Sequence, residues 1–154
     1  IPRGVDPQHD EKRNRMWEEL HALYAAGAFS FPEGSMSQFV FPDAQIFLDK
    51  HGKESVVVTK GGLDLAFQKG KVKSSGVETL VARTEYVQRD DSKGELLKSL
   101  LAEYPAPYLF VDDFAKELAS VADLCPEVSL YEIRRDGMPG SGGYAVIRSL
   151  LELP

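Results

Sequence analysis

The 154-residue chain is predicted to be one α/β domain with a mainly parallel sheet and helices on both faces. Short apolar, β-branched runs such as SVVV at residues 55–58 are typical of strands that are covered on both faces. Segments with apolar residues at helical spacing lie between these runs, and alternating strands and helices favour parallel pairing. A hydrophobic content of 43% in a chain of this length is sufficient for a substantial core.

The first part of the chain is predicted to be mainly helical. A helix is expected from Asp10 to a stop near Gly27, followed by a proline-containing loop over residues 30–43. We expect residues 1–40 to be a helical lead-in or the remnant of a cap, and residues 41–154 to be a single compact α/β core. The apolar face of the first helix comprises Met16, Trp17, Leu20, Leu23 and Tyr24.

The core is predicted to alternate between helices and strands. A capping box in which Ser92 precedes Glu95 by three positions marks the start of one helix. The predicted elements, in order, are a helix at 43–50, a strand at 55–58, a brief helix at 63–68, a turn at 69–76, one or two extended pieces within 80–87, a helix at 92–104, a strand at 108–111, a helix at 114–122, a strand at 128–133, a flexible loop at 137–143 and a closing strand or short helix.

Composition excludes several classes of function. The 18 basic and 24 acidic residues give a net charge of −6. The sequence contains no basic block, so neither a nucleic acid nor an anionic membrane is expected as a partner. Cys125 is the only cysteine, which excludes an internal disulfide and fits a reducing cytoplasm. No apolar stretch has the length of a membrane span and no signal peptide is visible, so a cytoplasmic protein is expected.

The first candidate site follows the apolar run at 55–58. Ligand sites of parallel α/β sheets lie beyond the carboxyl ends of the strands. Thr59, with the backbone N–H groups of Lys60, Gly61 and Gly62, is placed to bind an anionic oxygen. The alternative is an ordinary strand-to-helix turn in which Thr59 is the N-cap.

Lys93 is the second candidate, at the first turn of a predicted helix. A cation there faces the positive end of the helix dipole, and a nearby bound anion would offset this unfavourable interaction. The alternative is a solvated lysine whose stem turns away from the site.

The third candidate is the pair Asp112 and Asp113, which follows the predicted strand at 108–111. Adjacent carboxylates repel each other unless a cation or N–H donors neutralise them. Mg²⁺ is bound by one or two carboxylates together with phosphate oxygens and water. The alternative is that Asp113 caps the following helix while Asp112 is solvated.

In chain order, VVVTKG, Lys93 and YLFVDDF resemble the last three motifs of the haloacid dehalogenase-like (HAD) hydrolase superfamily. The resemblance covers about residues 41–154 and implies a three-layer, Rossmann-like sheet. It implies that Thr59, Lys60 and Gly61 bind a phosphoryl group, that Lys93 neutralises charge there, and that Asp112 and Asp113 hold Mg²⁺. Thr59 and Lys93 are the catalytic residues that the resemblance assigns in this chain.

The first motif of that family, an apolar strand ending in Asp-x-Asp, is not found in residues 1–58. The nearest segment is QIFLDKHG, but Asp49 is followed two positions later by His51. Asp49 also precedes Thr59 by only ten residues, which is too short for the crossover that parallel strands require. We therefore expect the nucleophilic aspartate and a central strand to lie upstream of this chain, or the catalytic pair to be absent from the protein.

The expected function is a Mg²⁺-dependent phosphatase of a small phosphorylated metabolite, acting through a phospho-aspartyl intermediate. The alternative is a catalytically inactive HAD-like module for binding or assembly. A phospho-receiver domain also combines acidic residues, Thr and Lys, but its acidic pair precedes the other two, whereas here it follows them. A sheet that lacks its centre also suggests a homodimer that recruits a strand from its partner.

Overall fold

The structure is a computed structural model that describes residues 7–61 and 64–154. The helices are α1 (Pro7–Ala25), α2 (Pro42–His51), α3 (Leu65–Ser75), α4 (Val77–Leu80), α5 (Lys93–Leu100) and α6 (Ala115–Leu124). The strands are β1 (Val56–Lys60), β2 (Arg83–Val87), β3 (Tyr108–Asp112), β4 (Val128–Ile133) and β5 (Ala145–Ile147). The prediction of an α/β protein is confirmed.

The strands form two parallel sheets. In one, β1 pairs with β2, from Val56 opposite Arg83 to Lys60 opposite Val87. In the other, β4 lies between β3 and β5. All three pairings are parallel, as predicted, but within the described chain β1 and β3 each have a hydrogen-bonded neighbour on one side only.

The prediction that the apolar run at 55–58 is buried on both faces is wrong. The strand is β1, Val56–Lys60, and every residue in it is only partly buried. The physical reason is its position at the edge of a two-stranded sheet, where one side lacks a covering strand among the described residues. Thr59 and Lys60, expected after the strand, are its last two residues.

The predicted turn at 69–76 is also wrong, because α3 continues through Ser75. The lysines there are good helix formers, which offsets the serines and Gly70. The helix ends at Gly76, whose φ of +79° suits a residue without a Cβ atom. Its N-cap is Asp64, whose carboxylate accepts a hydrogen bond from the N–H of Ala66.

Other predictions hold to within a few residues. Ser92 is the N-cap of α5 and accepts from the N–H of Glu95, as the capping box predicts. The closing segment contains both predicted alternatives, strand β5 and a short 3-10 turn over Leu150–Glu152. None of the described helices combines the length and hydrophobicity needed to cross a bilayer.

The main core lies between the three-stranded sheet and the helices α5 and α6. It contains Leu97, Phe110, Leu118, Val121, Cys125 and Val128. The two helices approach closely at Gly94, because a Cβ atom there would overlap the backbone oxygen of Ser120. Gly94 therefore sets the distance between α5 and α6.

Helix α1 packs against α3 through an aromatic cluster centred on Phe67. His21 stacks on the Phe67 ring at 4.4 Å between centroids, and Trp17 and Tyr24 meet the same ring edge-on. The predicted apolar face is only partly right, since Met16 and Leu23 are about half exposed at 51% and 50%. His21, which lies on the same helix, is buried.

Candidate functional site

Lys93 and Asp112 lie together at the carboxyl end of β3. The Lys93 Nζ atom donates a hydrogen bond of 2.6 Å to Oδ2 of Asp112, and both side chains are largely buried. This position rules out the alternative of a solvated lysine. The ion pair also supplies part of the neutralisation that the adjacent carboxylates require.

The two aspartates have different environments. Asp112 is buried, and its Oδ1 atom accepts a hydrogen bond from the N–H of Phe114, while Asp113 is exposed. The alternative prediction of a capping Asp113 and a solvated Asp112 is therefore wrong for Asp112. Burial raises the pKa of the Asp112 carboxyl and outweighs the opposing effects of Lys93 and of the Phe114 N–H.

Glu117 on α6 joins the two sheets and was not among the predicted site residues. Its carboxylate accepts hydrogen bonds from Lys60 Nζ on β1 and from the backbone N–H of Lys93, both at 2.9 Å. Burial alone would raise the pKa of Glu117, but these donors outweigh it and lower that pKa below the ordinary value. Glu117 therefore holds the end of β1 and the first turn of α5 in one polar network.

A sequence signal for Glu117 did exist. Residue 117 precedes the apolar Val121 by four positions, so a helix places both residues on one face. A carboxylate on a buried face needs a cationic or N–H partner. The partner could not be chosen from sequence, because Lys60 lies 57 residues away.

The predicted anion-binding groups at the end of β1 are engaged within the protein. The Thr59 hydroxyl accepts a 2.6 Å hydrogen bond from Gln68 Nε2 on α3. Lys60 bonds Glu117, and the N–H of Gly61 donates to the Val87 oxygen of the neighbouring strand. The expectation of free N–H groups is therefore wrong for Gly61, and Gly62 lies outside the described residues. Thr59 is not an N-cap either.

Asp112 and Asp113 fit a magnesium ion in the chemistry of their donors. They are hard carboxylate ligands from adjacent residues, and Mg²⁺ accepts two such ligands when waters or phosphate oxygens complete its shell. Both oxygens of Asp112 already accept hydrogen bonds, from Lys93 Nζ and from the Phe114 N–H, so an ion would share them with these donors. No group of three or more His, Cys, Asp or Glu side chains arranged for a metal occurs among the described residues. An ion held here would depend on oxygens from a ligand or from water.

Comparisons with known proteins add no relative. No family model matches the chain, and searches of curated proteins and of solved structures found no similar protein.

Proposed function

We propose that this chain belongs to an HAD-like phosphatase, with a Mg²⁺ site at Asp112 and Asp113 and a phosphoryl site beside Lys93. The observation that carries the proposal is the Lys93–Asp112 ion pair at the carboxyl end of a parallel strand. Under this proposal the two sheets belong to one three-layer HAD-like sheet, whose central strand pairs with β1 and β3 and supplies the nucleophilic aspartate.

The residues have distinct roles in this proposal. The carboxylates of Asp112 and Asp113 hold the metal, which neutralises phosphate charge when bound. Lys93 keeps its ammonium group beside Asp112 and offsets the charge that builds up during transfer. The Thr59 hydroxyl, whose oxygen accepts from Gln68, would donate its own hydrogen to a phosphoryl oxygen, and Lys60 and Gly61 form the adjoining wall.

A second candidate function, a non-catalytic binding module, is favoured by one observation. The Lys60 ammonium group and the Gly61 N–H, both assigned to phosphate, already have partners within the chain. A hydrogen-bonding group that already has a partner within the protein contributes less binding free energy than a group without one, because it exchanges one hydrogen bond for another.

Titration calorimetry with Mg²⁺ and inorganic phosphate tests the proposal, because binding can be measured without the nucleophile. We expect phosphate to bind only when Mg²⁺ is present. Asp113→Asn should weaken Mg²⁺ binding about tenfold or more, because it removes one of two anionic ligands. Asp123→Asn, an exposed position near the far end of α6, is the matched control and should leave binding unchanged.

The outcomes separate the two candidate functions. Mg²⁺-dependent phosphate binding that is lost in Asp113→Asn and kept in Asp123→Asn supports the phosphatase. Absence of Mg²⁺ binding, or equal weakening in both variants, overturns it and leaves the non-catalytic module. Hydrolysis of p-nitrophenyl phosphate, measured with the intact mass of the same sample, then tells whether the nucleophile is present in the purified polypeptide.

A further inference from the structure

A cavity of about 360 Å³ lies between helix α1 and the carboxyl end of β1. Its walls come from α1, α3, the end of β1 and the segment after β2. This volume falls at the lower end of the range of small-molecule sites. The cavity opens onto Lys60 and Gly61, so it adjoins the proposed phosphoryl site.

The charge on the cavity lining is predominantly positive. Three cationic residues, Lys60, Lys71 and Arg89, face one carboxylate, that of Glu18. Lys60 is paired with Glu117, but Lys71 and Arg89 form no ion pair within the described chain. Burial lowers the pKa of Lys71, which has no carboxylate beside it to oppose that effect. An anionic ligand would supply the missing partner.

The cavity lining also contains aromatic side chains. Trp17, His21 and Phe67 line the cavity and contact one another, with Trp17 and Phe67 edge to face at 6.1 Å. His21 is only 8% exposed, and its Nδ1 atom has no hydrogen-bond partner among the described residues. A buried ring nitrogen without a partner is costly, and a polar atom of a ligand would relieve that cost.

We propose that this cavity binds an aromatic phosphate monoester, with the ring against Trp17 and Phe67 and the phosphate held by Lys71 and Arg89. Apolar walls with a few converging polar groups are the usual construction of such sites. This phosphate position adjoins the phosphoryl site proposed beside Lys93 but is separate from it, so the inference goes beyond the proposed function and the binding does not require the metal.

Trp17 is the only tryptophan of the chain, so its fluorescence reports on the cavity directly. The experiment titrates the protein with AMP in EDTA, and in parallel with adenosine and with ribose 5-phosphate. Adenosine keeps the aromatic ring without the charge, and ribose 5-phosphate keeps the charge without the ring. We expect AMP to saturate the signal with a Kd below about 1 mM, and each partial ligand to bind at least about tenfold more weakly.

Two lysine variants separate the site from general charge attraction. Lys71→Met should weaken AMP about tenfold and leave adenosine unchanged, because only the contact with the phosphate is removed. Lys73→Met, an exposed position on the same helix outside the cavity, is the matched control and should bind AMP like the wild type.

Each outcome decides the inference. Selective weakening in Lys71→Met supports it. Equal effects of the two lysine variants, adenosine binding as tight as AMP, or no saturable change with any ligand overturns it. The Asp113→Asn variant distinguishes a failure of this inference from a failure of the proposed function. The variant should no longer bind Mg²⁺ but should still bind AMP in EDTA.

Discussion

Replacing Glu117 by glutamine tests whether one buried carboxylate couples the two sheets. The side chain is nearly inaccessible, with 4% of its surface exposed, and it accepts from Lys60 Nζ and from the Lys93 N–H. Glutamine keeps the shape and one acceptor oxygen, so it can retain the bond from the Lys93 N–H. It cannot keep the ion pair with Lys60.

The expected cost follows from these contacts. A hydrogen bond to a charged group contributes about 1.5–3 kcal/mol, and breaking a fully buried pair costs more. The Lys60 side chain is 28% exposed, so its ammonium group can regain water, which reduces the loss. We expect Glu117→Gln to lower the free energy of unfolding by about 2 kcal/mol at pH 7.

Urea unfolding at several pH values measures this change. A loss of about 2 kcal/mol corresponds to a midpoint shift of about 1 M, given ordinary urea slopes. Because the folded pKa of Glu117 is lowered below 4.5, its stabilisation is complete above that pH and is lost as pH falls through the folded pKa. The difference between wild type and variant should therefore be constant from pH 7 to about 5 and shrink in more acidic solution.

Glu127→Gln is the matched control, because it makes the same chemical change at an exposed position. It should alter stability by no more than about 0.5 kcal/mol. A loss in Glu117→Gln as small as that of the control, or one that persists undiminished at pH 3, would refute the assignment of this carboxylate as a coupling residue.

Two further substitutions and one reactivity assay test the surrounding structure. Lys93→Met should lower the free energy of unfolding, measured in urea at pH 7, by about 3 kcal/mol, because Asp112 stays buried without its cation. Since burial raises the folded pKa of Asp112, the stability of this variant should recover as pH falls toward that pKa. Gly94→Ala should destabilise by about 2 kcal/mol despite the better helix propensity of alanine, because its Cβ atom overlaps the Ser120 oxygen; a thermal midpoint equal to or above that of the wild type would contradict this. Cys125 is 1% exposed and burial raises its thiol pKa, so it should react with a disulfide reagent slowly in the native protein and rapidly in urea.

The elements predicted most accurately were those whose local signals and tertiary environment agree. The strand at 128–133 has the predicted bounds, and Ser92 caps its helix, because β-branching and capping act over a few residues. The segment at 69–76 failed because lysine-rich sequence with small residues fits both a turn and an exposed helix.

The connections within the site were predicted only in part. The family resemblance placed Lys93 and Asp112 in one phosphoryl and Mg²⁺ site, and the structure brings the two side chains into direct contact. Long-range pairs such as Lys60 with Glu117 have no local sequence signature. The cavity was missed for a related reason: Trp17, Phe67 and Lys71 come from elements predicted as a lead-in helix, a brief helix and a turn.

The one-sided pairing of β1 and β3 has a consequence for the exchange of amide hydrogens with solvent. Successive residues of a parallel strand direct their N–H groups alternately to the two sides. In β4, both sets have strand partners over Tyr131–Ile133, where β5 lies on the second side. In β1, only the set directed at β2 has a strand partner within the described chain. Protection from deuterium should therefore alternate from residue to residue along β1 and β3, and a strand that docks between them would convert each alternating profile into a continuous one.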